Sequence, residues 1–136
     1  MYLLDTNVAA QPRKPTPHGA VVAWVSAQDA THLYLSAMTI AELQRGVEIT
    51  REQDVEKARQ IEDRLEQLIV SGQVLAINAP ACRHGARLMH RQSDTSTEDA
   101  FIAATTIVRR LVVVMRNVRD FKAFNVEMLN PFAPDQ

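Results

Sequence analysis

The chain carries one cysteine, Cys82, in 136 residues. A lone thiol closes no internal disulfide and has no CxxC partner for zinc, which excludes a disulfide scaffold and fits a reducing compartment. Charge of one sign is missing as well. Fifteen Lys and Arg stand against sixteen Asp and Glu, for a formal net charge of −1. No overall basic field draws in nucleic acid, so any such contact must be local. Local basic pairs stand at Arg13 and Lys14, at Arg109 and Arg110, and at Arg116 with Arg119; each is also compatible with a plain solvated face. Apolar runs such as residues 111–115 fall far short of the ~20 residues that span a bilayer. The N-terminus has no basic flank or cleavage site, so a cytoplasmic protein with no membrane association is expected.

Several catalytic signatures are absent too. His18, His32, His84 and His90 make no HxxxH or HExxH pair, which leaves little room for histidine-metal chemistry. There is no GxxxxGK[ST] loop, GxGxxG turn or GxSxG elbow, which argues against a P-loop enzyme, a dinucleotide enzyme and an α/β-hydrolase.

What is present is an ordinary globular composition, 46% hydrophobic and 23% charged, of a length that suits one domain over residues 1–136. Residues 2–4 form a short apolar run that ends abruptly in Asp5-Thr6-Asn7, residues that prefer turns, and read as a buried strand followed by a polar loop. Residues 20–27 read as a helix and 33–35 as a strand. Thr39 precedes Ile40, Leu43 and Val47 at helical spacing, with Gly46 near the end. Residues 51–69 place Val55, Ala58, Ile61, Leu65, Leu68 and Ile69 at three- and four-residue steps, a long amphipathic helix stopped by Ser71-Gly72. Its stripe must be covered either by its own core or by a partner. Residues 74–77 suggest a strand and 80–91 a helix. Residues 92–97 form a polar loop, and another helix starts at Asp99. Residues 111–115 have the continuous apolar character of a central parallel strand, and 126–129 close with a last strand. Strands alternating with helices predict an α/β fold with a mainly parallel central sheet flanked by helices.

In such folds functional groups gather outside the carboxyl ends of the strands. Asp5 sits at one such end and Asn117 follows another, although either residue also serves as a plain turn former. Glu42 falls in Thr39-x-x-Glu42 and Asp99 in Ser96-x-x-Asp99, both of which match a helix capping box. The three acids Asp5, Glu42 and Asp99 each lie at a strand end or in a first helical turn near one, where side chains can converge. Converging carboxylates repel and raise one another's pKa unless a cation compensates. Hard oxygen ligands of this kind suit Mg²⁺ or Mn²⁺, completed by waters and a substrate phosphate. That is a phosphodiesterase arrangement.

Five blocks in order resemble one family. Leu3-Leu4-Asp5-Thr6-Asn7-Val8 is similar to the opening of PIN domains, Leu35-Ser36-Ala37-Met38-Thr39-Ile40-Ala41-Glu42-Leu43 to their second motif, and Glu98-Asp99-Ala100-Phe101-Ile102-Ala103-Ala104-Thr105 to their third. Val114-Met115-Arg116-Asn117-Val118-Arg119-Asp120-Phe121 and Leu129-Asn130-Pro131-Phe132 complete the likeness, which is nearest to the VapC and FitB ribonuclease toxins of type II toxin–antitoxin systems. The resemblance implies an α/β/α PIN domain and an acidic metal site of Asp5, Glu42 and Asp99, with Asn117 at a fourth position where relatives often carry an acid. It implies one or two Mg²⁺ or Mn²⁺ ions and endonucleolytic hydrolysis of RNA by activated water, leaving 5′-phosphate and 3′-hydroxyl ends. It further implies a homodimer, a cognate antitoxin that occludes the cleft, and operator DNA contacted only through that antitoxin. The chain departs from the pattern in Met115, where Thr or Ser is usual, and in Ala9-Ala10-Gln11, where relatives commonly have Ile-Ser-Glu. Asp120, one turn beyond Asn117, is a second candidate for the fourth position.

Two other readings remain open from the residues. Asn117 and Met115 suit a catalytically weak PIN fold that binds RNA or an antitoxin without cutting. Asp5 at the end of a first strand resembles the nucleophile of haloacid dehalogenase-like phosphotransferases, but the second Asp normally found two residues on is here Asn7.

Overall fold

In the computed structural model, which describes residues 1–11, 14–91 and 96–132, the central strands are the short apolar runs. β1 (Tyr2–Leu4) lies at the middle of a five-stranded sheet of order β3-β2-β1-β4-β5, with β2 (Leu33–Ser36), β3 (Val74–Leu75), β4 (Val112–Val114) and β5 (Met128–Leu129). Every pairing is parallel, and Leu4 registers with Leu35 on one side and Val114 on the other. A strand with neighbours on both edges and helices on both faces has no solvated side, which is why its residues are uniformly apolar.

Alternation along the strands divides the core in two. Leu3 and Val113 enter one cluster with Ala100, Ile102, Ala103 and Phe121. These come from α6 (Thr97–Arg109) and the short α7 (Val118–Lys122). Leu4, Leu35 and Val114 enter the other, with Val8, Ala9 and Val21 from α1 (Thr6–Ala9) and α2 (Gly19–Ala27). On the first face α5 (Ala79–Arg91) lies close against α6. A Cβ on Gly85 would stand 2.9 Å from the Phe101 ring, so glycine permits the approach.

A third cluster answers where the long amphipathic stripe goes. α3 (Ala37–Arg51) and α4 (Val55–Ser71) pack as a hairpin through Val47, Ala58 and Leu65, with Ile40, Leu43, Ile61 and Leu68 around them. Arg51 spans the pair, 3.1 Å from Glu62 and 3.1 Å from Glu48. The stripe is thus covered by the chain itself, and Val55 and Ile69 stay exposed.

The helix limits correct three expectations. Gly46 does not lie near a helix end: α3 runs on to Arg51, and a Cβ at Gly46 would meet open space. The amphipathic helix begins at Val55 rather than residue 51, because Asp54 accepts the Lys57 amide at 3.0 Å as its N-cap. The turn after β1 is a single helical turn, α1, rather than an irregular loop. Arg13 and most of the expected polar loop 92–97 lie outside the described residues.

Candidate active site

The strand order reverses between β1 and β4: the chain builds outward from β1 through β2 and β3, then returns to the other side of β1. Such a switch opens a crevice at the carboxyl ends of the two strands. Asp5 stands there. Its amide donates to the Val114 carbonyl at 2.8 Å, which ties it to β4, and its own carbonyl accepts from Val8 and Ala9. Its side chain makes no helix-capping bond and is 7% exposed. The simple turn-former reading therefore does not account for a carboxylate at that place.

Glu42 is brought to the same end by α3, but not as a cap. Ser36 is the N-cap and accepts the Met38 amide at 3.1 Å, while Thr39 is buried inside the helix. The expected Thr39-x-x-Glu42 box does not form, and Glu42 lies in the second helical turn, not the first. Its carboxylate instead accepts a hydrogen bond from the Thr6 hydroxyl at 3.0 Å, and the Thr39 hydroxyl is 3.3 Å from that of Thr6. Asp99 behaves as its motif predicts at the backbone: Ser96 caps α6 and accepts the Asp99 amide at 3.1 Å.

All three acids are raised, and Asp99 and Glu42 act on Asp5 while Asp99 acts on Glu42. Burial, reinforced by the charges of Asp99, Glu42 and Asp120, pushes the Asp5 carboxyl up to about 7 against the pull of the Thr6 amide. Burial also raises Glu42, helped by Glu98 and Asp99 and opposed by Thr6 and Arg45. Asp99 is raised by burial and then by Asp120 and Glu98, against its Ser96 hydrogen bond. Three carboxyls are thus held above their ordinary range at one end of the sheet, mainly because burial penalises their charged forms and secondarily because neighbouring acids add negative charge.

Asn117 lies just beyond β4 at the same end, exposed, with no capping bond from its side chain. Asp120 follows on α7, its amide bonded to the Asn117 carbonyl at 3.0 Å, and its charge acts on both Asp5 and Asp99. Thr6 and Glu98 were missed as contributors by sequence reasoning, although both stood inside the quoted motifs beside Asp5 and Asp99. Arg109 and Arg110 end α6 and lead into the start of β4, at the opposite end of the sheet from the acids. Arg116 is at the acid end.

The donor chemistry fits a hard divalent cation: carboxylate and amide oxygens, with raised acids that a cation would lower. As their side chains stand, no group of three or more His, Cys, Asp and Glu among the described residues is placed to hold a metal ion. Mg²⁺ characteristically takes one or two carboxylates and completes its shell with waters and phosphate. An apolar cavity of about 220 Å³ lies elsewhere, between Leu4, Val8, Val25, Leu35 and Leu68, and touches none of the acids. Its lining carries no titratable side chain, so acid-dependent chemistry belongs to the crevice.

Fold and crevice together define a class, and the PIN domain model matches residues 2–126. The chain belongs to the PIN-domain family. It is 34% identical to Toxin FitB of Neisseria gonorrhoeae, over 97% of this chain and 99% of that protein. It is 37% identical to VapC ribonuclease Y4jK of Sinorhizobium fredii, over 98% and 99%. Among solved structures it resembles the FitAcB crystal structure from Neisseria gonorrhoeae, with a TM-score of 0.86 at 32% identity, covering 97% of this chain and 99% of that one. A FitAB structure bound to an IR36 DNA fragment gives a TM-score of 0.86 at 31% identity, over 100% and 99%. No helix among the described residues is long and apolar enough to cross a membrane.

Proposed function

We propose that this chain is a divalent-metal-dependent endoribonuclease and the toxin of a type II toxin–antitoxin pair. The observation that supports the chemistry is the crevice in which burial raises Asp5, Glu42 and Asp99 and the charges of Asp99 and Glu42 raise Asp5 further. The biology is supported by relatives named as a toxin and as a ribonuclease that match nearly end to end.

Asp5, Glu42 and Asp99 are the residues that would hold the metal, Mg²⁺ or Mn²⁺, once their side chains close on it, and Asn117 would add a neutral amide oxygen at the edge of the site. When bound, the ion offsets charge on the phosphate oxygens and makes water acidic enough to attack in line. The rest falls to the protein. Thr6 holds Glu42 through the 3.0 Å hydrogen bond and so fixes one carboxylate oxygen. The Asp5 amide bond to Val114 locks the first acid to the sheet, a rigid support of the kind that precise ligation needs. With its carboxyl raised to about 7, Asp5 would have to give up a proton to serve as a ligand at neutral pH.

The partners in this reading are RNA as substrate, a cognate antitoxin that covers the crevice, operator DNA reached through that antitoxin, and a second copy in a homodimer. The purified, antitoxin-free chain should cut RNA with Mg²⁺ or Mn²⁺, stop on chelation, and leave 5′-phosphate ends. Metal-independent cutting, or none with either metal, refutes the nuclease assignment; RNA binding without cutting would point to the weak regulatory PIN fold.

A further inference from the structure

We propose that Arg116, Phe132 and His18 form a nucleotide shelf at the same end of the sheet as the acids, taking one base of a single-stranded RNA on the Arg116 guanidinium. The proposal deepens the nuclease reading and rests on it for the class of substrate.

The shelf is assembled from three segments distant in sequence. The Met115 amide donates to the Leu129 carbonyl at 3.0 Å, as the Asp5 amide does to Val114. Arg116 therefore leaves β4 between the strand that ends in Asp5 and the strand that leads to Phe132. Its Cζ lies 4.8 Å from the centroid of the Phe132 ring. His18 meets the same ring at 5.0 Å and 62°. One side chain ties the parts together: Asn130 Nδ2 donates to the Arg116 carbonyl at 3.2 Å, and Asn130 Oδ1 accepts the Phe132 amide at 2.9 Å. The His18 amide is held in turn by Gln11 Oε1 at 2.9 Å, from a glutamine that is 4% exposed.

The charge arrangement is unusual. Arg116 is exposed and stands at the same end of the sheet as Asp5, Asp99 and Asp120, yet it makes no salt bridge among the described residues. Its cation rests on an aromatic face instead. A guanidinium resting over a ring keeps N–H groups available for a phosphate, and it loses less freedom on binding than an unsupported one. An acidic crevice repels a polyanion, so a strand entering it needs a positive group close by, and a planar one also receives a base. Unpaired RNA bases stack on aromatic rings and on arginine planes in this manner. The resulting order is Phe132, Arg116, base, with the fork reaching that nucleotide's phosphate.

The test uses the full chain in chelator at low salt, where RNA is bound but not cut. Binding of a fluorescent single-stranded RNA and quenching of a 2-aminopurine base within it are followed together. Arg116→Ala should weaken binding about tenfold, as expected for one lost stack, and abolish the quenching. Arg116→Lys keeps the charge without the plane, and should recover less than half of the lost affinity and none of the quenching. Phe132→Leu should weaken binding in the same direction, with circular dichroism checking the fold of each variant. Wild-type affinity in Arg116→Ala, full rescue by lysine, or no RNA binding by the wild-type chain would overturn the proposal. So would an Arg116→Ala chain that binds RNA normally but loses its antitoxin, which would make this face a protein-docking surface. Cleavage with metal is scored separately: a chain that binds through Arg116 and never cuts refutes the nuclease reading alone, and one that cuts equally well without Arg116 refutes the shelf alone.

Discussion

Asp5→Asn should make the metal-free protein more stable, although it removes one of the three proposed metal ligands. The Asp5 carboxyl is pushed from 3.8 to about 7 in the folded chain, chiefly by burial. A raised carboxyl contributes its full stability below the unfolded value and loses it as pH rises through the folded one. At ~1.4 kcal/mol per pH unit the ionised group costs the fold about 4 kcal/mol above pH 8, and local relaxation brings this to about 2–4 kcal/mol. Asparagine has the same shape and no charge to desolvate. Wild type and Asp5→Asn should therefore melt together near pH 4, diverge between pH 4 and 7, and differ by about 6 °C or more at pH 8 in chelator, on the usual scale for a domain of this size. Thermal melts across pH 4–9 measure this directly. Parallel curves at every pH would refute the claim that a buried, uncompensated carboxylate lies at the end of β1.

Adding Mg²⁺ or Mn²⁺ at a hundred times its dissociation constant should stabilise the wild type by about 2.7 kcal/mol, and thermal shift should show no such gain in Asp5→Asn or Asp99→Asn. Glu42→Gln should fold normally, because the α3 cap is Ser36 and not the Thr39 pair; it should bind metal more weakly and lose most activity, and wild-type cutting by this variant would remove Glu42 from the site. Ser36→Ala should cost about 1 kcal/mol in urea unfolding, with loss of cap and no change in the acids. Gly85→Ala should destabilise by about 1–3 kcal/mol, since its Cβ would press on the Phe101 ring at 2.9 Å and force the α5 and α6 helices apart.

Much of the fold was legible because its signals are local. A three-residue apolar run stopped by Asp5, and a second of the same kind ahead of Asn117, announce parallel strands whose carboxyl ends face one crevice. The helix limits were harder. Ser36 and Thr39 both precede the apolar pattern of α3 and both can cap; only tertiary packing, which buries Thr39 against Thr6, decides between them. Gly46 reads as a stop, but it lies at an open position in a helix held by α4, and the ~1 kcal/mol that glycine costs there is tolerated. The stripe of α4 stated that something must cover it and was silent on what. Asp5, Glu42 and Asp99 were legible as a set through their motifs. The Thr6 hydrogen bond to Glu42, and the stacking of Arg116 on Phe132, join residues far apart in sequence, and no periodicity encodes them.

The most direct test of the central claim is a calorimetric titration of Mn²⁺ into the antitoxin-free chain and its Asp5→Asn, Glu42→Gln and Asp99→Asn variants. One shared site predicts saturable binding by the wild type that releases protons near neutral pH, and at least tenfold weaker binding in each of the three variants. Wild-type binding that survives intact in any one of them would remove that carboxylate from the site, and survival in all three would contradict the account.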